Sequence, residues 1–218
     1  MQLTRERIIT AAVELIESEG VEAVSMRRIA GLLDCGVMSL YNHVPSKAAV
    51  LDAVAERVMS GIDFTTDPDA AWEDQVRAQA RAFRQIARAY PRCTMVVVSR
   101  PVNSEAALRP MEHALATLRS AGFGSEDAVR VVRAFVAYTV GSLLREVGVA
   151  PGLEPQRPLN TDQAIRSADR PIHLTPAEFP QVMSMSAELL HRDHDADFEF
   201  GLDLLVRAVS DLRPARAN

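Results

Sequence analysis

Few residues in this chain are grouped as a catalyst would need them. The densest polar string is His191-Arg192-Asp193-His194-Asp195-Ala196-Asp197, whose imidazoles and carboxylates could hold a metal ion or move a proton. It directly precedes a helix-period pattern, where Asp193 or Asp195 serves better as an N-cap in a solvated connector. The sequence contains no Ser-His-Asp constellation with supporting context, no phosphate loop and no dinucleotide fingerprint. Cys35 and Cys93 lack metal-ligand spacing and read as reduced thiols of a cytosolic protein. No catalytic residue, metal or cofactor is expected.

The residues better placed for chemistry lie near the N-terminus, and theirs is recognition. Asp34-Cys35-Gly36 reads as a tight turn. After it, Leu40 and Val44 lie one turn apart and can hold a very short helix, from Val37 to His43, against a core. Gly36, Val37, Ser39 and Asn42 are then free to point outward. Val44-Pro45 ends that helix, because a residue before proline disfavours the helical region. A turn followed by such a helix is the skeleton of a helix-turn-helix. There the last helix enters the major groove and the one before it crosses the backbone.

Other helices must position that turn. Residues 4–19 place Ile8, Ile9, Ala12, Val13 and Ile16 on one stripe, with Thr4 as cap and Gly20 as stop. Ser25 can cap a second helix whose Met26, Ile29, Ala30 and Leu33 recur at i, i+3, i+4, i+7. Ser46 can cap a fourth, striped by Val50, Leu51, Val54, Val58 and Ile62. Beyond a connector at Phe64–Asp69, helix periods resume at 70–90, 104–121, 126–148, 177–191 and 196–212. The stretch 92–99 suits either helix or strand: Met95-Val96-Val97-Val98 is β-like but has no partner strands. Ala150–Pro176, rich in proline and polar residues, reads as a long mobile loop. The expected architecture is all-α. A three-helix DNA-binding domain occupies residues 1–62, and a larger helical domain occupies 63–218.

Composition limits the partners. A net charge of −5 over 218 residues excludes a broadly basic nucleic-acid coat, though not a local DNA-binding face. Residues 1–60 carry six basic and eight acidic side chains, so most acids must face away from DNA. No apolar run approaches the ~20 residues that span a bilayer, and Met1–Arg7 is not a signal peptide. A cytoplasmic protein without a membrane partner is expected.

At the turn and its flanks the chain resembles the TetR (tetracycline-repressor-like) family. The strings that carry the resemblance are Ser25-Met-Arg-Arg-Ile-Ala-Gly-Leu-Leu, Gly36-Val-Met-Ser-Leu-Tyr-Asn-His-Val-Pro-Ser-Lys and Val50-Leu-Asp-Ala-Val. Further back, Ala71-Trp72-Glu73-Asp74, Phe83-Arg84, Ser99-Arg100-Pro101, Ala121-Gly122-Phe123 and Phe200-Gly201-Leu202-Asp203-Leu204 are similar to the tetracycline-repressor branch. The resemblance implies that Arg27 reaches a guanine edge or a phosphate. It implies that Tyr41, His43 and Lys47, the chain's only lysine, hold phosphates. Val37, Met38 and Ser39 would face bases, with Met38 equally able to fill core, and Asn42 would bond an adenine or a phosphate. Family members usually carry glycine where Asp34 stands, in a left-handed turn that aspartate tolerates better than most residues.

For the rear half, the resemblance implies a pocket and a dimeric four-helix bundle. Gln79 and Phe83 match pocket positions. Glu112 and Tyr138 are further polar candidates, and Met111 and Phe135 can supply apolar wall. Tetracycline-binding relatives anchor a magnesium ion through a histidine and a glutamate, whose places here are taken by Val96 and Arg145. Neither can bind a hard cation, so a different, largely apolar effector is expected. Arg145 could pair with Glu112 or attract an anionic ligand group. On the last helix Phe198, Leu202, Leu205, Val209 and Leu212 recur at four-three spacing and offer a dimer seam, with Gly201 beside it for close approach. Expected partners are a double-stranded operator, a small effector and a second copy. The alternative is a helical small-molecule scavenger whose front domain no longer reads DNA.

Overall fold

The computed structural model describes residues 2–64, 67, 69–100, 105–147, 177–191 and 193–212. The loop expected at 150–176 lies outside them. Helices α1 (Arg5–Glu19), α2 (Met26–Leu32), α3 (Val37–Tyr41) and α4 (Lys47–Ser60) form the front, with a 3₁₀ turn at Val21–Ala23. Behind them come α5 (Trp72–Ala89), α6 (Pro91–Ser99), α7 (Glu105–Ser120), α8 (Ser125–Val147), α9 (Pro180–Ser184), α10 (Ser186–Leu190) and α11 (His194–Asp211). The described residues contain no strand. The ambiguous Met95–Val98 stretch is helical, and the helix expected at 177–191 is instead two short pieces meeting at Met185.

The front forms where the local signals place it. Thr4, Ser25 and Ser46 accept hydrogen bonds from the backbone N–H groups of Arg7, Arg28 and Ala49 at 3.1–3.3 Å, which satisfies N-terminal donors of three helices. Gly20 ends α1 at φ 95°. Asp34 takes φ 50° in the turn before α3, a left-handed conformation rare outside glycine. Leu40 and Val44 are fully buried and anchor α3. This core does not stop at α4. Cys93 and Val96 of α6 complete it, and burial pushes the Cys93 thiol above its ordinary range, which keeps it protonated and inert.

A second core joins α5, α7, α8 and α11 around Trp72, Phe123, Phe135 and Phe198. An electrostatic zipper flanks it. Arginines at 77, 81, 84 and 88, one stripe of α5, meet Asp203, Glu199 and Asp195 on the antiparallel α11. Arg84 is the buried member. It bridges Glu146 of α8 at 2.9 Å and Asp195 at 2.8 Å, donates to the His194 carbonyl at 3.0 Å, and lies 4.4 Å from the centre of the Phe198 ring.

Two expectations about α11 are corrected. Phe198, Leu202 and Val209 do not form a free seam: with Val206 they face this chain's own second core, and Leu205 packs against it. Gly201 makes room not for a partner but for Tyr138. That ring stacks on Phe198 at 5.6 Å, and its hydroxyl donates to the Phe198 carbonyl at 2.7 Å. A Cβ on Gly201 would lie 2.6 Å from the Tyr138 ring. Gly201→Ala is therefore expected to destabilise the protein by about 1–3 kcal/mol through overpacking, despite a helix-propensity gain of about 1 kcal/mol. In a Tyr138→Ala background the same change should stabilise. Thermal unfolding of the four proteins of that double-mutant cycle measures both signs.

Candidate functional site

At the front of the molecule α3 is bound on one side only. Met38 is 75% exposed, and Ser39, Tyr41, Asn42 and His43 are exposed beside it. Arg27, on the first turn of α2, and Lys47, on the first turn of α4, are exposed as well. Among the described residues no side-chain hydrogen bond or ion pair engages Arg27, Tyr41, Asn42, His43 or Lys47. Val37 is half-buried against the core, so it contributes only part of its surface to this face.

The other basic side chains of the front are already engaged. Arg28 grips Glu19, Arg5 meets Glu56 at 3.4 Å, and Arg57 donates to Thr10 at 3.1 Å. Several of the acids are turned elsewhere. Glu17 and Asp52 point at α6 and its C-terminal end, and Glu19 and Glu56 are neutralised by arginines. The acidic composition of residues 1–60 thus coexists with exposed, unpaired Arg27 and Lys47 at the first turns of α2 and α4, cations of the kind that hold phosphates.

Behind it lies a cavity of about 270 Å³. Four expected residues, Gln79, Phe83, Met111 and Phe135, line it together with Met59, Phe64, Val97, Val98, Ala114, Val136 and others. Gln79 is buried and donates to the Thr117 hydroxyl at 3.0 Å, which holds its amide in one orientation. Glu112, Tyr138 and Arg145 do not line the cavity. Glu112 is exposed on the far side of α7 from Met111 and Ala114. Tyr138 is turned toward α11 by its hydrogen bonds there. Arg145 is 74% exposed and pairs with Asp197 at 3.6 Å, not with Glu112. Among the described lining residues there is no histidine, aspartate or glutamate. Val96 faces the front core. A magnesium-chelated ligand held as in tetracycline-binding relatives does not fit these donors.

Arg100 also lines the cavity. Nothing in its spacing nominates it as a site residue, although it stands in the Ser99-Arg100-Pro101 string that carries part of the resemblance. Its Nε and Nη2 both donate to Asp52 Oδ1 on α4, at 2.9 and 2.6 Å, and Nη2 also reaches the Ala48 carbonyl at 3.4 Å. At the opposite end of α6, Glu17 of α1 accepts from the Cys93 backbone N–H at 2.8 Å. So α6, whose Val97 and Val98 form cavity wall, is fastened at both ends to helices of the front.

Known proteins divide along the same lines. The family described as "Bacterial regulatory proteins, tetR family" matches residues 8–54, and "Tetracyclin repressor-like, C-terminal domain" matches residues 65–211. The chain belongs to the TetR family. The HTH-type transcriptional repressor DrrR1 of Streptomyces coeruleorubidus is 31% identical over 208 residues, covering 94% of this chain and 76% of that one. The class C tetracycline repressor of Escherichia coli is 30% identical over 217 residues, covering 97% and 93%. TetR-family ActR of Streptomyces coelicolor, solved in complex with actinorhodin, superimposes with a TM-score of 0.79 over 99% of this chain and 100% of that one. At 24% identity that likeness speaks of the fold alone. The relatives are transcriptional regulators, not enzymes. Among the described residues no helix is long and apolar enough to cross a membrane.

Proposed function

We propose that this TetR-family chain is a cytoplasmic repressor that binds a pseudo-palindromic operator as a homodimer and leaves it when a small, largely apolar molecule fills the cavity. Residues 1–62 form the DNA-binding unit and residues 63–218 the effector and dimer unit. The observation that carries the reading is α6, which is at once cavity wall and the brace between α1 and α4. An occupant that moves α6 moves the helices that hold α3. Release follows if the occupant prefers the conformation that does not fit DNA, typically by about 1–3 kcal/mol of coupling. ActR, of the same fold, was solved with actinorhodin bound, which is consistent with a cavity that accepts an organic molecule.

Selection of bound duplexes from a random pool tests the first half. The expected product is a twofold-symmetric site, with half-sites about 34–36 Å apart or a multiple of that. A protein showing no preference over random DNA would be the scavenger instead. On the selected site Arg27→Ala should cost about 1–3 kcal/mol and relax one position per half-site. Lys47→Ala should weaken all sequences alike and lower the salt slope by about one for each phosphate that the side chain no longer neutralises.

The cavity's donor set makes a negative prediction about its occupant. Tetracycline with magnesium should neither bind measurably nor release the operator. Calorimetry showing a magnesium-dependent, micromolar complex would overturn it.

A further inference from the structure

We infer that the effector is an apolar molecule with one anionic group, and that this group competes with Asp52 for Arg100. The inference rests on reading the cavity as the effector site. Among the described lining residues Arg100 is the single charged side chain, in a wall otherwise made of aliphatic and aromatic groups, Gln79 and Thr139. An anion buried among those apolar groups without a partner would be strongly disfavoured. Among the described lining residues, Arg100 is therefore where an acid entering the cavity places its charge.

The pair it meets there is poised to exchange. Arg100 holds only one oxygen of Asp52, with two N–H groups on Oδ1. A guanidinium binds a carboxylate or sulfonate more strongly through two parallel bonds to two oxygens. Asp52 is half-exposed, so solvent can take over its charge once it is released, and an ion pair so placed holds weakly. Exchange costs α4 its charged tie to the end of α6. The other end, fixed by Glu17, has no such competitor, because the cavity does not reach it. The consequence is a selectivity of response: neutral apolar molecules of similar size occupy the cavity with the α6–α4 tie intact, whereas their acidic counterparts break it.

Two fluorescent probes of similar shape separate these cases on the full-length protein. One is 1-anilinonaphthalene-8-sulfonate; the other, N-phenyl-1-naphthylamine, lacks the sulfonate. Arg100→Gln should weaken the sulfonate about tenfold or more and change the neutral probe less than about twofold. Asp52→Asn, which removes the competitor, should tighten the sulfonate several-fold and leave the neutral probe unchanged. If sulfonate binding is indifferent to both substitutions, or both probes shift alike, the anion exchange is wrong while the cavity remains the ligand site. If neither probe binds the wild type, or binding survives an Ala114→Trp variant that fills the cavity yet unfolds like wild type, then the cavity reading falls and takes this inference with it.

Discussion

A Leu204→Arg variant is expected to be a folded monomer that no longer binds its operator specifically. The reason lies on the faces that α8 and α11 leave bare. On α11 the large side chains turned outward are Phe200, 69% exposed, and Leu204, 52% exposed. On α8, against which α11 packs, Ala134, Ala137 and Gly141 are exposed along one stripe. Two copies related by a twofold axis could set Phe200 and Leu204 onto that shallow strip and close a four-helix bundle. An arginine at Leu204 would bury an unpaired charge in that contact, yet in a single chain it would simply sit in water. Helical content and the unfolding transition should therefore change little, whereas sedimentation should show a monomer. Operator affinity should fall about a hundredfold or more, since one recognition helix cannot draw on the second half-site. A Leu204→Arg protein that sediments as a dimer and retains its affinity would place the interface elsewhere. Leu205, which the spacing alone nominates, is the poorer choice, because Leu205→Arg would damage the chain's own core.

The largest loss of stability is expected from Arg84→Ala. Its side chain is 8% exposed and that of Glu146, its partner, is 9% exposed. Removing the guanidinium leaves the buried Glu146 with only the half-exposed Arg88, at 2.8 Å, and uncovers one face of Phe198. Breaking one side of a buried pair costs about 3–5 kcal/mol, which for a chain of this size lowers the melting temperature by roughly 10 °C. Arg81→Ala, three residues earlier in the same zipper but half in solvent, should cost about 1 kcal/mol or less. Equal shifts for the two variants would mean that Arg88 alone satisfies Glu146 and Arg84 is no keystone.

Much of the front was legible because its signals are local. A hydroxyl residue three places before a free N–H, a glycine at a helix end, an aspartate able to take positive φ, and a proline after Val44 each act within one turn of chain. The exposed set around α3 followed, since Leu40 and Val44 fix which side of so short a helix must be inside. The cavity's apolar walls were partly legible too: Gln79, Phe83, Met111 and Phe135 lie on helices whose identity the periodicity settles.

Sequence by itself thus determined most of the helices, though not α6 or the break at Met185, together with the turn before α3 and the candidate DNA face. It also determined that the rear half carries more apolar surface than one helix face can use. Tertiary structure decided how that surface is divided. On α11 the 198–202–206–209 stripe and the 200–204 stripe are both apolar, and only packing against α5 and α8 tells which is core and which is bare. It also decided that α6 belongs to the front core, that Tyr138 and Arg145 serve α11 and not the cavity, and that Arg100 meets Asp52. Those pairings join residues 48 to 60 positions apart, beyond the reach of any helical period. Periodicity reports that a side chain has a buried side; which partner does the burying is settled only when the helices assemble.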